Sequence, residues 1–378
     1  MILTKQRAGT LCRLSFALAL IASLGAAGCA GPGASSTPAA GPAGVRAAVI
    51  RTKDVSFQVF TAGQTPGLPS NAAPEDLALG PDGSIWFTDP SVPGIGRISG
   101  GTVTEFTTGL PANARPFAIA PGPDGNMWFS DYRGVAIGRV AMDGTITEYD
   151  NPKIAENASG IAFGADGKPW VLVLGPKPML AHLTAQGKVA VTKLPLDLSP
   201  DGSLTSDASG NMWFMVISRR SKGVVVERLA SGGLVKYNTQ MNKQLLPCCP
   251  HLAPKRMTIG SDGHPWFTTL GFGYRLSGAH FLGTIDAGKV ERIRITKHGT
   301  GHPAYPSGLA AGTNGLWITG GNPLQSNGEL WFVDAQGKQT PYDVPYNPVG
   351  LAVDSQGNPW FSAQFGGQPN QIIEAIVR

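Results

Sequence analysis

Cysteine is scarce in this chain, with four in 378 residues, at positions 12, 29, 248 and 249. A chain of this length cannot be stapled together by so few, so its fold rests on packing rather than on disulfides. Charge is thin as well: Asp, Glu, Lys and Arg make up 15% of the residues. Past residue 28 there is no run of Lys or Arg, which argues against nucleic acid as a partner. Removing residues 1–28 takes away Lys5, Arg7 and Arg13 and no acid, so the formal charge falls from +5 to +2. Long apolar runs are also missing. The stretch Leu14–Leu24 is about eleven residues, against the roughly 20 that a helix needs to cross a bilayer.

What the N-terminus does have is a basic start, that short apolar core, and small residues leading into a cysteine, Ala26-Ala27-Gly28-Cys29. This order is that of an export signal and resembles the bacterial lipoprotein signal. The resemblance implies that Cys29 is lipidated as the first residue of the mature chain, and that the membrane is met only through that anchor. Ala30 after the cysteine resembles signals sent to the outer membrane in a host with two membranes. Residues 30–48 are nearly all Ala, Gly, Pro, Ser and Thr, a composition that buries too little to fold and reads as a tether. The expected organisation is a signal at 1–28, a tether with Cys29 at 29–53, and a folded domain at 54–378.

The folded part is an internal repeat. Seven segments share a short apolar strand, a turn ending in Gly and a strand carrying Trp: DLALGPDGSIWF, AIAPGPDGNMWF, GIAFGADGKPWV, SLTSDASGNMWF, RMTIGSDGHPWF, GLAAGTNGLWI and GLAVDSQGNPWF. Their tryptophans fall at 86, 128, 170, 213, 266, 317 and 360. Four of the six spacings are 42 or 43 residues and two are 53 and 51; units of about that length with about four strands each predict the blades of a β-propeller. The fold class is therefore all-β, a seven-bladed propeller. The last repeat lacks an outer strand, and an unmatched one, Ser56–Phe60, lies at the start. Pairing it with Ile372–Val377 would close the ring and hide both edges.

Strand direction places the short Gly turns on one face and every long connection on the other, the usual seat of binding on a rigid scaffold. On that loop face Glu75, Asp89 and Asp131 come from neighbouring blades as a possible oxygen-ligand set for Mg²⁺ or Ca²⁺, or as solvated rim charges. Lys255 and Arg256 enter from the fifth unit and could hold an anionic part of a ligand. Phe117, Tyr132 and Tyr305 give the face aromatic surface. His251 and His302, on long connections, are the weak candidates for a displaced base. Cys248 and Cys249 are adjacent and could close a strained disulfide ring, or stay reduced.

The repeat also carries Ile-Gly-Arg-(Ile/Val) and Thr-Glu-(Phe/Tyr) after the Trp strand, most fully in Ala114–Tyr149. In this it resembles the virginiamycin B lyase (streptogramin lyase) family. The resemblance implies seven blades and, in true lyases, Mg²⁺-assisted elimination that opens a cyclic depsipeptide. It also implies His directly after the Pro that starts an inner strand and Glu after Trp-Phe-Thr. The matching positions here are Glu75, Phe117, Ser159, Gly202, Lys255, Ser307 and Val349, and then Asp89, Asp131, Val173, Val216, Thr269, Gly320 and Ala363. None is His or the expected Glu after the Trp, so the lyase base is absent from its place.

Two functions follow. One is a monomeric envelope lipoprotein that binds a small molecule, glycan or envelope protein through its loop face. The other is a metal-dependent lyase or lactonase-like hydrolase at the channel mouth. The first is preferred because the histidines are missing. Mass spectrometry of the N-terminus from the native host is expected to find a diacyl or triacyl Cys29; a soluble chain starting further on would refute the anchor.

Overall fold

Each repeat folds into a four-stranded antiparallel sheet whose second strand is buried along its length, as in Ile85–Asp89, Met127–Asp131 and Pro359–Ala363. The computed structural model describes residues 48–51, 55–132, 137–150, 157–175, 177–195, 198–218, 223–231, 233–239, 252–271, 281–295, 305–321, 328–344, 347–364 and 370–377. The first blade is Leu77–Leu79, Ile85–Asp89, Gly94–Ser99 and Thr102–Phe106. Inner strands of the later blades are Pro116–Pro121, Ala158–Phe163, Leu198–Ser206, Leu252–Ile259, Tyr305–Gly312 and Pro348–Val353. Each inner strand touches the next, and the seventh touches the first, so the ring is closed.

The seventh blade takes its outer strand from the other end of the chain. Val55–Thr61 pairs with Gln371–Val377, with Ser56 opposite Ile376 and Phe60 opposite Ile372. A further strand, Ala48–Arg51, lies beside Val55–Thr61 and makes this sheet five-stranded. Those four residues fall inside the stretch read as tether, so the sheet begins before residue 54. Their short Ala-Val-Ile-Arg run is the first with the β-branched character of a strand after the Gly/Pro-rich segment.

The motif residues have separable physical jobs. The Phe after the Trp fills the space between blades: Phe87, Phe129, Phe214, Phe267 and Phe361 are fully buried. A Cβ on Gly96, Gly138 or Gly283 would collide with the ring of Phe87, Phe129 or Phe267, which is why Ile-Gly-Arg needs its glycine. The turn Asp reaches forward to the indole. Trp86 Nε1 donates to Asp82 at 3.0 Å, Trp128 to Asp124 at 3.0 Å and Trp266 to Asp262 at 3.0 Å. In the fourth and seventh blades an Asp two places earlier does the same, Asp207 to Trp213 at 2.9 Å and Asp354 to Trp360 at 3.1 Å. Gly83, after Asp82, has φ +77°, which closes the turn.

Blades are joined by a hydroxyl two residues after the Trp. Thr88 Oγ1 accepts from Asp76 N at 3.1 Å in its own blade and donates to Phe117 O at 2.8 Å in the next. Ser130 repeats this with Ala118 N and Ser159 O. Ser362 repeats it across the ring closure, with Gly350 N at 2.9 Å and Glu75 O at 3.1 Å.

Asp89 and Asp131, read from the sequence as a possible ligand set, cap backbone amides in this fold. Asp89 is fully buried and its carboxylate accepts from Ala73 N at 3.1 Å, Ser91 N at 2.9 Å and Val92 N at 3.2 Å. Asp131 Oδ1 accepts from Arg115 N at 2.9 Å. Each also lies near a Glu of its outer strand. Burial, then the charge of Asp89 and a hydrogen bond with it, push Glu105 up to about 8. Burial, then the charges of Asp131 and Asp150, push Glu148 up to about 7.

Two predictions follow from these contacts. Ser362→Ala strands Gly350 N and Glu75 O at the closure and is expected to cost about 1–3 kcal/mol in denaturant unfolding. A loss within the ~0.5 kcal/mol of an ordinary surface change would refute the bridging role. The second concerns pH. Glu105 and Glu148 hold their protons in the folded state well above the ordinary value of 4.5. The folded state therefore binds more protons than the unfolded one from 4.5 up to about 7 for Glu148 and about 8 for Glu105, and stability falls as pH rises through that window. Glu105→Gln keeps the neutral form at every pH. Its melting temperature is expected to match the parent near pH 5 and exceed it at alkaline pH; a constant difference across the range would contradict this.

Candidate functional site

The inner strands do not run straight into the ring. In the second to seventh blades their pairing register slips just before the core residue, between Pro116 and Ile119 in the second and Pro254 and Met257 in the fifth. Two repeat positions, eleven and ten before each Trp (ten and nine in the sixth blade), lie at this loop-face start of the inner strands; in the first blade they precede Leu77–Leu79, which shows no slip. From the first blade to the seventh they are Glu75-Asp76, Phe117-Ala118, Ser159-Gly160, Gly202-Ser203, Lys255-Arg256, Ser307-Gly308 and Val349-Gly350. The bridging hydroxyls hold this level rigid, since they grip Glu75 O, Asp76 N, Phe117 O, Ala118 N and Arg256 N.

At these two positions the charged residues fall in two blades. The first contributes two acids and the fifth two bases. Asp76 Oδ2 accepts from Ile119 N at 3.1 Å. Burial raises the pKa of Asp76, and Arg256 is the leading influence that lowers it. Glu75 is likewise raised by burial and lowered first by Arg256, then by Gln364, whose Nε2 donates to Glu75 Oε2 at 3.3 Å. Arg256 Nε donates to Ser307 O at 3.2 Å. Among the described residues its two terminal nitrogens have no partner, and neither acid lies within ion-pairing distance of it. The opposite charges feel one another across the channel without touching.

Beside the acids, Phe117 and Tyr132 form a tilted aromatic pair with centroids 5.5 Å apart. The guanidinium of Arg115 lies 5.9 Å from the Tyr132 ring and also acts on the charge of Glu75. Glu75, Phe117, Tyr132, Arg115 and Arg256 are thus linked by ring contacts and by electrostatic influence. Reasoning from the sequence missed Asp76, Arg115 and Gln364. Asp76 and Arg256 share one repeat column, and reading that column for charge would have found the pair.

Among the described residues no group of three His, Cys, Asp or Glu side chains is placed to hold a metal ion. Glu75, Asp89 and Asp131 do not form such a group, because the two aspartates face backbone amides. Tyr305 starts the sixth inner strand, and its side chain lies outside the described residues. Also outside them are Cys29, Cys248, Cys249, His251 and His302.

Comparison with known proteins supplies the family. Among curated proteins none matches the chain. A streptogramin B lyase structure superposes with TM-score 0.66 and 21% identity, over 86% of this chain and 98% of that one. A catalytically inactive virginiamycin B lyase from Staphylococcus aureus with quinupristin gives 0.64 and 19%, over 86% of this chain and 100% of that one. Kuenenia stuttgartiensis hydrazine synthase gives 0.61 and 14%, over 81% and 96%. At these identities the likeness is one of fold. The sequence profile described as the virginiamycin B lyase family matches residues 60–270, more than half of the chain. The chain belongs to the virginiamycin B lyase family.

Proposed function

We propose that this protein is an envelope-anchored lipoprotein whose propeller binds a ligand at the loop-face mouth of its channel and does not open a depsipeptide ring. The observation that carries the reading is the pair of opposed charge clusters, Glu75-Asp76 and Lys255-Arg256, standing apart at the mouth. Half-buried charges that do not pair with each other are costly to keep unless something else meets them. The aromatic pair of Phe117 and Tyr132 adds an apolar surface next to the acids, the mixture a small-molecule site requires.

The chemistry of elimination speaks for binding rather than turnover. Abstracting a carbon-bound proton needs a positioned base, commonly worth about 10²–10⁴ in rate. In the column where the family would place His, this chain has Glu, Phe, Ser, Gly, Lys, Ser and Val. A fold shared with lyases and with a hydrazine synthase does not decide between these uses.

One experiment tests both halves. The detergent-solubilised full chain is incubated with quinupristin and Mg²⁺ and followed by chromatography and tandem mass spectrometry, since a linear isomer has the same mass as the ring. The ring is expected to stay closed. In parallel, thermal-shift screening of small molecules and glycan fragments is expected to give hits whose shift disappears in Asp76→Asn or Arg256→Met. Ring opening would make the protein an enzyme. Hits indifferent to both substitutions would move the site away from the mouth.

A further inference from the structure

We infer that the mouth of the channel is a receptor for a zwitterion with an aromatic body: an aromatic amino acid, or a short linear peptide whose free N-terminal residue is aromatic. This rests on the mouth being the binding site and names the chemistry of what it binds.

Placement of charge around the ring carries the inference. Of the fourteen residues at these two repeat positions, four are charged, and like charges sit side by side: two acids in the first blade, two bases in the fifth; the longer slip of the fourth blade also spans Asp201, whose side chain lies outside the described residues. Going round by the seventh and sixth blades, the first and fifth are three steps apart. Three steps is the widest separation a ring of seven allows. The clusters therefore oppose each other across the axis rather than neutralise each other along the rim. Between them the third, fourth and sixth blades contribute only Ser and Gly at these positions, Ser159-Gly160, Gly202-Ser203 and Ser307-Gly308.

A molecule of one charge sign gains from one cluster and is repelled by the other. A neutral sugar answers neither charge in kind. A molecule with an ammonium at one end and a carboxylate at the other meets both, and it brings no net charge out of water. Charge-assisted hydrogen bonds to Glu75 and Asp76 at one end, and to Lys255 and the terminal nitrogens of Arg256 at the other, are the strong kind. The aromatic pair fixes which end carries the ring. Phe117 O accepts from Thr88 Oγ1, and Ile119 N donates to Asp76, so the strand bearing Phe117 is tied directly to the acidic cluster. Phe117 and Tyr132 are each part-exposed. The side chain that rests on them therefore belongs to the residue whose ammonium faces the acids.

Calorimetry with the detergent-solubilised full chain tests this with five probes: phenylalanine, Phe-Gly-Gly, Ala-Gly-Gly, N-acetyl-Phe-Gly-Gly and Phe-Gly-Gly amide. Phenylalanine or Phe-Gly-Gly is expected to bind, and their comparison gives the preferred length. Acetylating the amine or amidating the carboxylate of Phe-Gly-Gly is expected to weaken binding by about tenfold or more each, as is replacing Phe by Ala. Asp76→Asn is expected to erase the difference between the free and acetylated peptides. Arg256→Met is expected to erase that between acid and amide. The blocked probes decide the matter even if a variant fails to fold. Equal affinity for free and blocked peptides overturns the inference, as does no binding of any probe. If that happens while thermal-shift hits still vanish in Asp76→Asn or Arg256→Met, only the ligand class is wrong. If the hits are indifferent to both substitutions, the mouth itself is wrong.

Discussion

A bridging hydroxyl at several of the junctions does much to decide whether these seven sheets are a ring or a row. Thr88, Ser130 and Ser362 each hold an amide of their own inner strand and a carbonyl of the next. The hydrophobic layers between blades supply most of the stabilisation, but they are non-directional. The hydroxyl gives the junction a direction and a register. It also lies at the level where the inner strands slip, so the contact that joins blades is the contact that sets the backbone of the candidate site. At the fifth blade the site residue itself joins in, since Arg256 Nε reaches Ser307 O of the sixth.

Much of the fold was legible because repeat proteins state their architecture several times over. The Trp spacing gave the blades, and the orphan Ser56–Phe60 gave the partner of the last strand, seen as Val55–Thr61 against Gln371–Val377. Ala48–Arg51 was harder to read, because four residues beside a Gly/Pro-rich tether carry little pattern of their own. The site was legible only in part. Lys255 and Arg256 were visible as odd charges, and Phe117 and Tyr132 as aromatics on the right face. An acid at a strand end, such as Asp89 or Asp131, looks the same in sequence whether it meets a metal or a turn's amides. Their outer-strand neighbours Glu105 and Glu148 lie 16 and 17 residues further on, and such distances are bridged only by the folded sheet.

The chain separates scaffold from chemistry with unusual clarity. The Asp that grips the indole, the Gly that admits the Phe ring and the bridging hydroxyl all recur from blade to blade. Glu75-Asp76 and Lys255-Arg256 break the repeat, and breaking it is what gives the ring two distinguishable poles. A ring whose column of slip residues was uniform would have no preferred orientation for a ligand.

The bridging hydroxyl is not present at every junction. At the position of Thr88 and Ser130, the third blade has Leu172 and the fourth has Met215. The fourth and fifth blades are still linked, because Ser203 Oγ accepts from Met257 N at 2.8 Å. Between the third and fourth, among the described residues, the inner strands are held by close packing instead: a Cβ on Gly160 would crowd Leu204 N at 2.5 Å and Gly202 O at 2.6 Å. Leu172, Leu180, Leu204 and Phe214 share one buried apolar cluster there. Among the described residues, the ring thus has two kinds of joint: one aimed by hydrogen bonds, as at the closure, and one that rests on non-directional apolar packing.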